Sequence, residues 1–576
     1  MPRRALTALQ QTPAGLVALA VAVGAGAGLG AVVFRWLIEA VTRVLTGHAD
    51  YSSAGRADNP LVPWLGPYFV LLAPVVAGLV YGPLVYRYAR EARGHGVPEV
   101  MYAVARQGGR IPPRVAAVKA IASAVCIGGG GSVGREGPIV QIGSALGSTA
   151  GVAVRVGEER LRTLVACGAA GGIAATFNAP LAGVFFAMEL ILAEFTARSF
   201  GMVVLSSVTA SVIGRGVLGN RPFLHLPPAQ VHHLASYGLY VLLGLVAGAV
   251  GVVFTKILYW IEDACDALWH GPEWLRPAAG GVVLGLILLA LPQMYGVGYP
   301  VLEKAVIGGY GIAFLLVLLV GKIVASSVTI GIGGSGGVFA PSLFIGAMLG
   351  SAWGQLFGLW APGVTGPAAS YALLGMGAVF AGAARAPITA VIIMYELSGD
   401  YGLILPLMVA VAIATGVSNA LSKETVYSAK LQRRGVDLQQ VGPPLTTVAD
   451  AMEPPPNSLP PEATLREAVD SLRRTRRSSM PLVDAAGRYQ GVVGSMTTAD
   501  ALEAGVPLSR PLAELRSFPP VALAGQELHE VLALFTESDE DGLPVLDSAR
   551  SHLVGWLSHR AALLALFPAD RPRRQP

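Results

Sequence analysis

The sequence predicts a polytopic α-helical membrane protein with a smaller α/β pair of modules at its C-terminus, on three observations. Of 576 residues, 53% are hydrophobic and only 13% are charged, whereas soluble proteins are nearer a quarter charged. The membrane-like part repeats itself internally. Near Leu431 the composition turns abruptly polar.

The first 420 residues have room for ten or more candidate spans, at roughly 20 apolar residues per crossing. The clearest are residues 16–37, 68–85, 139–154, 181–192, 202–213, 239–257, 280–291, 314–328, 371–379 and 404–417. Several are too short to cross as straight helices. The 72 glycines suit close helix packing and broken helices. Met1-Pro-Arg-Arg before the first apolar run has a signal-peptide look. The run is long and other spans follow, so it reads as a retained helix with a cytoplasmic N-terminus.

The formal charge of +5 is uneven. From Val441 onward there are 13 Arg, no Lys and 17 acidic residues, which makes the tail −4 and the remainder +9. A basic membrane domain raises the local concentration of anions, and positive-inside loops have the same signature. Cys126, Cys167 and Cys265 are too scattered for a disulfide framework or zinc site. The nine His show no metal-ligand spacing. No nucleophile–base pair stands out, so an enzyme lacks a centre, and nothing points to nucleic acid.

Sliding Gly130–Ser148 onto Gly333–Ser351, an offset of 203, gives ten identities, including Gly134/Gly337 and Pro138/Pro341. Nearby, Ala179-Pro180 with Glu189-Leu190 repeats as Ala386-Pro387 with Glu396-Leu397 at offset 207. Two related halves with Gly-interrupted apolar segments in matching places point to a transport site between them.

The breaks carry the chemistry. In Gly128-Gly-Gly-Gly-Ser-Val-Gly-Arg-Glu-Gly-Pro138 the glycines stop one helix, and Pro138 suits the first turn of the next. Gly336-Gly-Val-Phe-Ala-Pro341 repeats the construction. Each offers free N–H groups and the positive end of a helix dipole at membrane depth. Two such ends make an anion site without a full buried cation. Glu136 lies inside the first break. An intramembrane carboxylate implies function: it acts as a tethered anion, seated when ionised and leaving when protonated. Capping a helix or pairing with Arg135 is the plainer role. A phosphate-binding loop would need a Gly-Lys-Ser/Thr ending that is absent.

Gly134-Arg-Glu-Gly-Pro138, Gly337-Val-Phe-Ala-Pro341 and Gly94-His-Gly-Val-Pro98 resemble the three anion-site signatures of the CLC chloride channels and transporters. Phe177-Asn-Ala-Pro180 and Tyr427 fall where that family has matching elements. The resemblance runs through nearly the whole chain. It implies a homodimer in the cell membrane, one pore per subunit, antiparallel halves of many short and broken helices, and chloride as the transported substrate. By motif, Glu136 resembles the external gating and proton-carrying glutamate. The resemblance implies that the signature residues Gly134, Arg135, Gly137, Gly337, Val338, Phe339 and Ala340 surround the anion, with the amides of Val338 and Phe339 as central ligands. Tyr427 resembles an inner-gate tyrosine.

Two positions depart from the family pattern. His95 stands where Ser or Pro is usual; imidazole is larger, can donate to an anion and titrates near neutrality. Leu190 stands where proton-coupled members often have an internal glutamate, one place after Glu189. Glu189 and its mate Glu396 read as structural.

Residues 432–446 read as a linker. The tail repeats a β-α-β-β-α pattern over residues 447–505 and 506–576 and resembles paired CBS (cystathionine-β-synthase-type) domains, with a cytoplasmic C-terminus. Thr497-Thr-Ala-Asp500 matches the Thr/Ser-x-x-Asp by which such modules hold the ribose of ATP, ADP or AMP. In the second module Ser558-His-Arg-Ala561 lacks the Asp. A purely dimerising tail is the other reading. The chain thus reads as an anion transporter in contact with lipid, needing no resident cofactor. Proton-coupled chloride exchange is favoured by Glu136, and a passive gated chloride channel is the alternative raised by Leu190. A pore-less membrane-anchored nucleotide sensor would require the glycine breaks to be mere packing.

Overall fold

The computed structural model describes residues 10, 12–219, 235–362, 364–436, 447–475, 477–538 and 540–566. Met1-Pro-Arg-Arg and most of the expected linker lie outside these. The chain divides into two compact units, Met1–Leu438 and Gln439–Pro576.

The first unit is helical. In order it has α1 Pro13–Thr46, α2 Phe69–Tyr88, α3 Val97–Arg106, α4 Arg114–Gly128, α5 Glu136–Val154, α6 Glu158–Phe177, α7 Pro180–Phe186 and α8 Ala197–Leu218. A second series follows: α9 Ser236–Leu268, α10 Arg276–Ala290, α11 Tyr299–Val306, α12 Ile312–Gly331, α13 Phe339–Trp360, α14 Ala368–Ala384, α15 Pro387–Ser398 and α16 Ile404–Leu421. The short α17, Ser428–Gln432, ends the unit. The eight helices of the second series match those of the first one for one, so the repeat seen at the breaks extends over the whole unit.

Among the described residues, eight helices are long and apolar enough to cross a membrane. The ten expected spans all fall on helices. Seven helices, α3, α4, α6, α11, α13, α15 and α17, were not among them. α6 opens on charged Glu158-Glu-Arg and continues largely in Gly and Ala, yet Leu164–Ala175 is buried throughout. Its environment is protein, so it needs little lipid-phase hydrophobicity. The same shows in α5 and α13, 67% buried along their most apolar stretch, against 33% for α8. α5 crosses α6 at Gly143 and Gly168, and α13 crosses α14 at the mates Gly346 and Gly375. A Cβ at any of these would meet the opposite backbone.

The second unit comprises α18 Val448–Ala451, α19 Leu465–Thr475, β1 Ser479–Val483, β2 Tyr489–Gly494, α20 Ser495–Glu503, β3 Ala522–Leu523, α21 Leu528–Val531, β4 Gly542–Leu546, β5 Leu553–Ser558 and α22 His559–Leu566. β1 and β2 pair antiparallel. β4 pairs parallel with β3 and antiparallel with β5. In the first module a single parallel bridge, Leu459 to Leu482, replaces the opening strand. Asp484 and Asp547 end β1 and β4 and take backbone N–H groups of the following turn: Ala486 and Arg488 for the first, Ser551 and His552 for the second. The modules trade edge segments across residues 505/506. Val448 packs with Leu528, Leu543 and Leu557 of the second core, and Leu512 with Ala468, Leu482 and Val493 of the first.

Candidate anion site between the repeats

Both breaks use a left-handed glycine that no other residue adopts readily: Gly130 at φ 102° and its mate Gly333 at φ 96°. The chain then turns into α5 and α13, with Pro138 and Pro341 in their first turns as expected. The breaks meet at the pseudo-symmetry axis, where Gly134 and Gly337 each donate an amide to the other's carbonyl, at 2.7 and 2.6 Å. These two amides are thereby occupied. The amides of Val338, Phe339 and Ala340 open the helix α13, where an intrahelical acceptor is lacking.

Glu136 is 1% exposed and reaches that end. Its Oε2 accepts from the Ala340 amide at 3.4 Å, and its Oε1 accepts from the Tyr299 hydroxyl. A carboxylate therefore sits where a helix N-terminus attracts an anion. Arg135 turns aside, stacking over the Tyr299 ring at 4.9 Å and donating to the Thr176 carbonyl at 3.3 Å. Gly137 packs against the His95 carbonyl and Gly337, leaving no room for a side chain. A cavity of about 540 Å³ reaches this point, lined by Arg135, Thr176, Asn178, Tyr299 and Glu303 among others.

The third signature comes from the loop before α3. Gly94 is bridged to Ser335 of the second break. His95 is fully buried, and neither ring nitrogen has a hydrogen-bond partner among the described residues. Its ring lies edge-on to Tyr259, 6.1 Å between centroids. The Tyr259 hydroxyl donates to the Val426 carbonyl at 2.7 Å, beside Tyr427. The Tyr427 hydroxyl is likewise buried without a partner. Buried polar atoms are ordinarily satisfied, so these orphans mark places suited to a ligand that accepts hydrogen bonds.

Two groups escaped the sequence reading. Lys119 and Lys322 are both fully buried and are mates at the same offset of 203. Lys119 Nζ donates to the carbonyls of Ala92 and Gly94, at 2.9 and 2.8 Å. Lys322 Nζ donates to Ser132 Oγ, Gly296 O and Val297 O, at 2.9, 3.2 and 3.0 Å. Each gathers the carbonyl oxygens of its loop and adds positive charge near the site, which favours an anion. Lysines inside apolar helices were the available signal. Tyr299, the other missed residue, had no motif to reveal it.

Glu189 and Glu396 cap each other's helices. Glu189 accepts from the amides of Ile388 and Thr389 at 3.1 and 2.8 Å, at the start of α15. Glu396 accepts from Leu181 and Ala182 at 3.0 and 2.7 Å, at the start of α7. Both are structural, as read from the sequence. Leu190 is 7% exposed, inside a π-helical turn Ala187–Leu192. In the tail, Thr497 is half-buried and Asp500 exposed on α20. A cavity of about 480 Å³ in that unit is lined instead by residues 453–457, Thr475, Arg477, Ser479 and Met480. Ser558 Oγ accepts from the Ala561 amide at 3.1 Å and caps α22.

Comparison with known proteins agrees with this architecture. The H(+)/Cl(-) exchange transporter ClcA of Vibrio cholerae serotype O1 (strain M66-2) is 34% identical over 414 residues, 70% of this chain and 87% of that protein. The crystal structure of a slow cyanobacterial Cl-/H+ antiporter matches with TM-score 0.66 and 27% identity, covering 74% of this chain and 98% of the other. The structure of a eukaryotic CLC transporter shares the fold over 95% of this chain and 97% of its own, with TM-score 0.64 and 22% identity. A CBS domain is matched over residues 448–504. With the voltage gated chloride channel family model matching residues 77–419, the chain belongs to that family, the CLC proteins.

Proposed function

We propose that this protein exchanges chloride for protons across the cell membrane, with Glu136 as gate and proton carrier. The observation that carries the reading is the Glu136 carboxylate seated on the α13 N-terminus. Ionised, it competes with chloride for the amides of Val338, Phe339 and Ala340. Protonated, it loses the charge that the helix end attracts and yields the place to chloride. Because one site takes either the carboxylate or the anion, the two movements are coupled. The unpartnered His95 ring and Tyr427 hydroxyl serve chloride further along the path, and Lys119 and Lys322 bias the interior toward anions. The relatives favour exchange over the channel that Leu190 suggested. With an apolar side chain at that place, the inner proton route bypasses position 190.

The protein acts as a homodimer with one pore per subunit and both termini in the cytoplasm. Its tail takes an adenine nucleotide, with Thr497 and Asp500 at the ribose.

Chloride and proton fluxes recorded together in proteoliposomes test this. A chloride gradient should drive protons uphill, and chloride flux should rise as pH falls. Glu136→Ala should keep chloride flux but abolish both its pH dependence and proton coupling. Absence of proton movement in the wild type would leave a gated channel.

A further inference from the structure

The repeat is broken at two places that touch. The mate of Glu136 is Phe339, at offset 203. Tyr299 opens α11 and precedes Pro300; its mate Val97 opens α3 and precedes Pro98. The glycines before them both take a positive φ, Gly96 at 84° and Gly298 at 85°, but differ in ψ, −42° against 29°. Each half thus carries a polar side chain where the other has an apolar one, the acid in the first half and the phenol in the second. The phenol hydroxyl donates to the acid.

Tyr299 is held firmly. Lys322 binds the two carbonyls of the loop before it, and the Arg135 guanidinium covers its ring. The ring also lines the 540 Å³ cavity, so it stands between that space and the carboxylate. We propose that Tyr299 is the latch of the Glu136 gate, a positioning residue that holds the ionised carboxylate on α13 and sets the acidity at which it is released. This rests on the gating role proposed for Glu136. A hydrogen bond to an ionised carboxylate is about twice as strong as one between neutral groups. Arrival of the proton therefore loosens the latch as well as neutralising the gate.

Other groups within electrostatic reach of Glu136 are Arg135, Lys322 and Tyr427. The cavity wall adds Arg35, Glu39, Asp50, Arg215 and Glu303. All of these are retained in the following variants. Chloride flux against external pH is measured in proteoliposomes for the wild type, Tyr299→Phe, Glu136→Ala and the double variant. Phe keeps the ring beneath Arg135 and removes the hydroxyl, with its hydrogen bonds to Glu136 and Arg135. Tyr299→Phe should move the half-activation pH upward by about one unit, the worth of one charge-assisted hydrogen bond over a neutral one. It should change nothing in the Glu136→Ala background. Replacing Tyr299 with 3-fluorotyrosine, a stronger donor of similar size, should move the midpoint downward. If Glu136→Ala abolishes pH dependence but Tyr299→Phe and 3-fluorotyrosine leave the midpoint in place, the latch is wrong and the gate stands. Equal shifts with and without Glu136 also overturn the latch. If Glu136→Ala keeps the wild-type pH profile, the gate reading itself fails.

Discussion

Gly134 and Gly337, repeat mates in the two halves, exchange both of their backbone hydrogen bonds, at 2.7 and 2.6 Å. This one pair ties the two breaks together and aims the start of α13 at Glu136. The two glycines answer differently to enlargement. A methyl on Gly134 runs into the Glu136 carboxylate, the mobile end of a side chain; one on Gly337 stands 2.7 Å from the Gly137 backbone nitrogen. Gly134→Ala should therefore fold and unseat the gate, weakening the pH dependence of chloride flux. Gly337→Ala should destabilise by about 1–3 kcal/mol, the usual penalty for overpacking. Thermal unfolding in detergent, paired with flux assays, separates the two. Equal losses of stability would refute the distinction.

His95 brings into a buried site two ring nitrogens that have no partner among the described residues. His95→Ser shortens the side chain and withdraws the imidazole donor. The ratio of chloride to nitrate flux should change several-fold, since one hydrogen bond in a buried site is worth roughly 1 kcal/mol. An unchanged ratio would place His95 off the anion path.

Asp500 has an exposed carboxylate on α20. Calorimetry on the full chain with ATP, ADP and AMP should show binding. Asp500→Ala should weaken it at least about tenfold, the loss expected for a charge-assisted hydrogen bond. No heat at millimolar nucleotide would leave the tail a structural element.

In the β4–β5 turn, the Ser551 and His552 amides, helped by their side chains, draw the Asp547 carboxyl down to about 2. An unfolded Asp titrates near 3.9. A lowered folded value stabilises fully above the unfolded one and is lost as pH falls toward the folded one. The hairpin should thus loosen between about pH 4 and pH 2. Acid-protease cleavage of the full chain should rise over that window at β4–β5. Asp547→Ala should be cut faster than wild type at about pH 5, with a flatter acid dependence. Identical cleavage in both would remove Asp547 from the turn's support.

Local chemistry accounts for what was legible beforehand. Gly128–Pro138 and Gly336–Pro341 announce helix starts because glycine and proline act on their own backbone, whatever surrounds them. Glu136 stands out because a carboxylate in an apolar setting is costly wherever it packs. The Asp residues closing β1 and β4 are equally local, accepting N–H groups within five residues.

The sequence by itself therefore determined the class of protein, its two halves, the positions of the breaks and the acid between them. The tertiary structure alone decided which groups meet there. Tyr299 lies 163 residues from the carboxylate it holds, and Glu189 and Glu396 cap helices about 200 residues away. Lys119 and Lys322 reach carbonyls on other elements. The helix α6 escaped hydropathy because its neighbours are protein and not lipid. Each of these depends on packing between the halves, and spacing along one chain carries no record of which faces that packing brings together.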